Sequence, residues 1–212
     1  MRQTICISLI LILFSCNSNN EKEIAELFKQ VNDNRISGKK YDAIKDCEKI
    51  ISLDNSNIDA YRVMSELTFE TLDFQKSLEL NKKLTELKPD AYQYFYKTGL
   101  LLEILDKKKE SELYYKNARE VFSKKEQEYW LKTDTLSMAS MFMEIGDSLK
   151  SKELLELAIK RKPTDSMYFN VLKEFNNYSH IQYINQLKKI MMESKYAEPD
   201  NNGTSKIIEV EN

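Results

Sequence analysis

What most restricts the folding of this chain is a register. From Glu23 to Lys195 apolar residues recur at spacings of three and four, interrupted at short intervals by Gly, Asn, Asp or Pro, as in a series of amphipathic helices. Set on a period of about 34 residues, the segments 24–57, 58–91 and 92–125 align, and 132–165 joins them after an insertion at 126–131. Slot 20 of this register holds Ala43, Ser77, Ser111 and Ser151, and slot 8 holds Val31, Ser65, Gly99 and Ala139. Antiparallel helices approach closely only where side chains are small, so the two slots mark the crossing point of a helical hairpin. Slot 4, with Leu27, Tyr61, Phe95 and Thr135, supplies mostly large residues to fill the space beside that crossing.

Glycine and proline are scarce, at four and three residues, so their placement is informative. Gly38 and Gly146 both fall at slot 15, the turn between the two helices of a hairpin, and Gly99 falls at the crossing. Pro89 and Pro163 both fall at slot 32, where a residue without an amide proton stops the second helix. Pro199 and Gly203 lie beyond the register. So few turn signals argue against a many-stranded sandwich and for an all-α class.

These residues resemble the tetratricopeptide repeat (TPR) family, most clearly in Gly99 with Ser111, Tyr115 and Ala118, and in Gly146 with Ser151, Leu155, Ala158 and Pro163. The resemblance implies a right-handed α-solenoid of about four to five antiparallel hairpins. Slot 24 holds Cys47 and Asn81 where the family prefers an aromatic residue, slot 27 holds Ile50 and Leu84 where it prefers alanine, and slot 7 holds Gln30. The first two repeats are therefore expected to pack less regularly. The insertion carries Tyr129 and the single tryptophan, Trp130, and should lengthen either the second helix of repeat three or the first of repeat four. Its aromatic residues either dock a partner or pack over the neighbouring hairpin. Residues 166–196 leave the register and read as a C-terminal capping helix pair that shields the apolar end of a stack. Residues 197–212 read as a disordered tail.

Ahead of the helical domain, 23–196, one basic residue, Arg2, precedes the apolar run from Ile5 to Phe14. A helix of that length reaches only about 15 Å, half the hydrocarbon thickness of a bilayer, so the run reads as an export signal (residues 1–15) rather than a span. Its end, Leu13-Phe14-Ser15-Cys16, resembles the bacterial lipobox, which implies acylation of Cys16, including palmitate, and a lipid anchor. Residues 16–22 then form the lipidated cysteine and a polar tether. Asn17 after the cysteine, by the same resemblance, implies the outer membrane of the cell envelope. Cys6 would leave with the signal, so Cys47 stays as a lone thiol at an apolar helical position, a small buried hydrophobe.

The chemistry of an enzyme is hard to assemble here. His180 is the only histidine, at the start of the last helix, where a surface or capping role is expected. No two-histidine metal motif, Gly-x-Ser-x-Gly, Gly-rich phosphate loop or Cys-x-x-Cys occurs, so neither a catalytic residue nor a metal ligand nor a cofactor is assigned. Basic and acidic residues, 32 and 34, are interleaved, which leaves no nucleic-acid footprint. The reading is a non-enzymatic, membrane-anchored scaffold that binds a protein or peptide. The alternative is a glycan- or small-ligand-binding accessory subunit of an outer-membrane transport or assembly complex.

By resemblance the family lines a concave groove with slots 2, 5, 9, 12 and 13 of each first helix. That implies partner contacts at Phe28, Arg62 and Tyr96 (slot 5), Glu66 and Leu100 (slot 9), and Arg35, Phe69 and Glu103 (slot 12). The family's dicarboxylate clamp is not reproduced. The same apolar residues would serve equally to pack against a neighbouring repeat or a coiled-back tail.

Overall fold

The computed structural model describes residues 20–196, which divide into two compact units between Leu87 and Lys88. The first unit holds α1 (20–36), α2 (Lys40–Leu53), α3 (Ile58–Glu70) and α4 (Phe74–Leu87). The second holds α5 (Tyr92–Ile104), α6 (Lys108–Lys132), α7 (Thr135–Glu144), α8 (Ser148–Arg161), α9 (Ser166–Asn177) and α10 (His180–Tyr196). Among the described residues there is no strand. The fold is all-α and TPR-like: helices α1 to α8 form four hairpins on the four repeats of the register. The signal run, Cys16, most of the tether and the tail at 197–212 lie outside the described residues.

One backbone device ends the first helix of every hairpin. Gly38 and Gly146 adopt positive φ, 71° and 84°, and so do Leu72 and Asp106, at 63° and 60°, which occupy the same slot 15. The amide of the third residue past each helix reaches back five residues: Lys39 to the Asn34 carbonyl at 2.8 Å, Asp73 to Thr68 at 2.9 Å, Lys107 to Leu102 at 2.8 Å and Asp147 to Phe142 at 2.8 Å. This is the Schellman closure, which requires a left-handed residue just beyond the helix. Leucine in that conformation costs about 1–2 kcal/mol, because its Cβ crowds the following carbonyl. At Leu72 that cost is offset by the closing hydrogen bonds of Leu72 to Phe69 and Asp73 to Thr68.

The crossings are as tight as the register requires. Ala43, Ser77, Ser111 and Ser151 are all at most 1% exposed. Ser77 Oγ donates to the Ser65 carbonyl at 3.0 Å and Ser151 Oγ to the Ala139 carbonyl at 2.7 Å, so a serine here ties the two helices and satisfies its own buried hydroxyl.

The first two repeats do not pack loosely, contrary to expectation: Cys47 and Asn81 are as buried as Leu155. Slot 24 lies across from slot 8, and the two vary reciprocally in bulk. Val31 and Cys47 share one cluster, Ser65 meets Asn81, the register sets Ala139 and Leu155, both buried, at the same two slots, and Gly99 faces Tyr115. At the last pair a Cβ on residue 99 would meet two atoms of the Tyr115 ring at 2.8 Å, so only glycine admits an aromatic ring. Asn81 instead donates to Ser65 Oγ and to the Ser77 carbonyl at 2.9 Å. Cys47 sits in an apolar cluster with Leu27, Val31, Ile50 and Leu67, and burial together with Asp46 pushes its thiol up to about 12.

The insertion lengthens α6, to 25 residues. Tyr129 packs inward, with ring centroids 5.9 Å from Tyr92 and 5.4 Å from Phe122, beside a core of Tyr92, Phe122, Met138, Phe142 and Ile145. Trp130 stays 38% exposed, its indole N–H donating to Glu126 at 3.3 Å. The two aromatic residues thus divide between packing and the surface.

The pair expected at 166–196 is two helices, but they do not cap the unit together. Helix α9 packs on α8, whereas α10 makes its main packing with α5, at the far end of the unit's sequence. The side chains explain this: α9 has no buried residue, and α10 presents His180 and Lys188 to acids at the end of α5.

Candidate functional site

Five of the residues expected to contact a partner lie in the first unit. Phe28 is partly buried against the unit's core cluster. Arg62 sends Nη1 to Glu66 at 3.2 Å and Nη2 to Asp59 at 3.2 Å, and Arg35 approaches the other Glu66 oxygen at 3.9 Å. The forked donor is thus already matched by acids of its own helix. Phe69 meets Phe74 edge to face at 5.1 Å and is half-buried. A shallow groove beside this network is lined by Asn32, Arg35, Ile36 and Lys40 with Leu67 and Glu70 of α3. Lys40 and Glu70 bridge it at 2.9 Å, and Ile36 is 86% exposed on its rim.

The second unit holds the other three, and a groove of about 460 Å³. Tyr96 and Glu103 line it, while Leu100 is only 8% exposed and offers little surface. Glu103 Oε2 accepts the Tyr115 hydroxyl at 3.0 Å and meets His180 Nε2 at 2.8 Å. The Tyr115 ring lies 5.8 Å from Tyr96 and 6.0 Å from His180. Tyr178 completes the wall, with its hydroxyl 3.4 Å from His180 Nδ1 and a hydrogen bond to Tyr96. Glu144, from the end of α7, accepts the Tyr92 hydroxyl at 3.0 Å.

Burial dominates the electrostatics of this groove. It raises the phenol pKa of Tyr92, Tyr96 and Tyr115, in each case reinforced by nearby carboxylates, so the hydroxyls stay protonated donors at neutral pH. It also raises the Glu144 carboxyl, against the lowering effect of Tyr92 and Lys97. The result is a wall of aromatic rings with fixed hydroxyls and carboxylates, suited to recognition of apolar and hydrogen-bonding groups together. Among the described residues no cluster of three His, Cys, Asp or Glu side chains is placed to hold a metal ion.

Sequence reasoning on three slots missed Tyr115, Glu144, Tyr178 and His180 as groove residues. Glu144 was within reach, because it stands at slot 13 of the fourth repeat, as Glu70 does in the second. Tyr115 and His180 were not, since one belongs to a second helix and the other comes from 77 residues beyond Glu103.

No family model matches the chain, and no curated protein matches it. Several solved structures are similar. An O-GlcNAc transferase mutant of Thermobaculum terrenum, K341M, is 14% identical over 67% of this chain, with a TM-score of 0.46, and the chain spans about a quarter (26%) of that protein's length. A MamA protein is 15% identical, over 83% of this chain and 96% of its own, with a TM-score of 0.46. A second MamA structure is 16% identical over 77% and 92%, with a TM-score of 0.42. The assignment to the TPR-like class rests on the four hairpins and their shared slots.

Proposed function

We propose that this chain is a non-enzymatic scaffold that binds a polypeptide partner in the cell envelope, held to the membrane by lipid on Cys16. One observation carries the binding reading: the α5 face, bearing Tyr96 and Glu103, already receives a polypeptide helix, α10. A surface that accommodates a helix through rings, hydroxyls and carboxylates favours a peptide or protein over a glycan. Phe28, Arg35, Arg62, Glu66 and Phe69 offer a second contact region, in which a partner must compete with existing ion pairs. No helix among the described residues is long and apolar enough to cross a membrane, so attachment rests on the Leu13-Phe14-Ser15-Cys16 ending. Outer-membrane residence follows from Asn17 by resemblance.

The binding test compares Arg62→Ala with Tyr96→Ala in one chain against the exposed-face control Lys160→Ala. After confirming equal melting temperatures, partners are recovered by mild crosslinking in cells. Loss of protein partners from the double variant alone is expected. Equal recovery from both, or capture of polysaccharide without protein, would refute the reading. For the anchor, Cys16→Ala should move the protein out of the membrane fraction and change the mass of its processed form; no change in either would refute it.

A further inference from the structure

The expected concave residues of α5 are covered by the chain itself. Helix α10 lies on α5, and its first turn puts His180 on Glu103 while Lys188 reaches Asp106 at 2.5 Å, just past the end of α5. Tyr178 and Tyr96 line the same groove. The cover is thin. Of the α10 side chains described, only Ile184 is buried, at 3% exposure, while Ile181 and Met192 are 69% and 55% exposed. Helix α5 beneath it buries seven residues and would keep most of them in contact with α6 if α10 left.

We infer that α10 is a displaceable internal ligand of the second unit's groove, and that the partner is an amphipathic helix of the same character. This inference rests on the peptide-binding reading above. The chemistry of the occupant defines the guest: an aromatic residue opposite Tyr96, a donor for Glu103, an aliphatic residue one turn further, and a lysine near Asp106. In this chain those are Tyr178, His180, Ile184 and Lys188, of which the last three sit at successive spacings of four on one helix face. Glu103 and Asp106 are the acids that His180 and Lys188 meet, so the guest carries donors at those two positions. A partner helix gains access only in the open fraction. If α10 is closed about nine-tenths of the time, the apparent affinity is weakened about tenfold, and removing the latch recovers that factor.

Two measurements on the full chain test this. In the wild type, hydrogen exchange should show the α10 amides opening locally, at least about a hundredfold faster than those of Thr98 to Leu102 in α5. Equal protection of the two would mean that α10 opens only with the whole unit, and would overturn the inference. The second measurement uses a labelled synthetic peptide of residues 178–194 and the variant His180→Ala with Ile184→Ser and Lys188→Ala. The peptide should bind this variant at least about tenfold more tightly than the wild type. Failure to bind the variant, or loss of the helical fold of α5 to α8 in the variant, would show α10 to be a structural cap and overturn the inference. Neither measurement needs the cellular partner. If the peptide fails while the groove variant Arg62→Ala with Tyr96→Ala still loses its partners, the latch falls and the binding reading stands.

Discussion

Gly99→Ala tests the reciprocal packing of slots 8 and 24. Glycine inside a helix is about 1 kcal/mol less favourable than alanine, so propensity alone makes this substitution stabilising. The structure argues the opposite sign. The new Cβ would sit 2.8 Å from Cδ1 and Cε1 of Tyr115 and 3.2 Å from its Cγ, whereas carbon atoms rest at about 3.5–4.0 Å. The ring has little freedom to retreat, because its hydroxyl is held by Glu103 and its faces meet Tyr96 and His180. Overpacking of this kind costs about 1–3 kcal/mol. The net effect is a loss of up to about 2 kcal/mol, a fall of several degrees in melting temperature. In a Tyr115→Leu background, which copies the Ala139 and Leu155 pair of the fourth repeat, the clash disappears and Gly99→Ala should stabilise by about 1 kcal/mol. A double-mutant cycle followed by urea unfolding therefore yields a coupling of about 1–3 kcal/mol. Stabilisation by Gly99→Ala of the same size in both backgrounds would refute the reciprocal packing.

Gly38→Ala and Gly146→Ala should each destabilise by about 1–2 kcal/mol although an added Cβ at either site meets nothing within 4 Å, because the cost is the left-handed backbone alone; thermal melts unchanged by both would refute the shared closure. Asp134 caps α7 by accepting the Ser137 amide at 2.8 Å, so Asp134→Ala should cost about 0.5–2 kcal/mol. That backbone hydrogen bond holds the Asp134 carboxyl below its ordinary 3.8, so the charge-dependent part of the difference is complete above about pH 4 and is lost as the pH falls through the lowered value. A wild-type advantage that grows on acidification would contradict the cap.

The repeat register, the hairpin crossings and two of the four left-handed turns were legible in the amino-acid sequence because each acts within one hairpin. Small residues at slots 8 and 20 and glycine at slot 15 answer a local steric demand, which residue type reveals directly. Leu72 and Asp106 were not legible as left-handed residues. A leucine side chain disfavours positive φ and an aspartate merely tolerates it, so the demand comes from the hairpin closing around them. The unusual Cys47 and Asn81 looked like weaknesses in isolation, but Cys47 joins the apolar cluster of Val31 and Asn81 donates to Ser65 across the hairpin. Which helix absorbed the insertion was decided by Tyr129 finding Tyr92, a contact between two helices rather than a property of either.

For the candidate site, the sequence by itself determined which faces of the first helices carry aromatic and charged residues, since period and slot place them. Only tertiary structure decided how those faces are used. In the first unit Arg62 is matched by Asp59 and Glu66, and in the second Glu103 is matched by Tyr115 and His180. The return of α10 to α5 depends on contacts across 77 and 82 residues, between groups that at those separations leave no periodic trace. Periodicity encodes what a helix does to its nearest neighbours; a segment that comes back from the far end of the chain is held by individual pairs, and those exist only once the fold has brought them together.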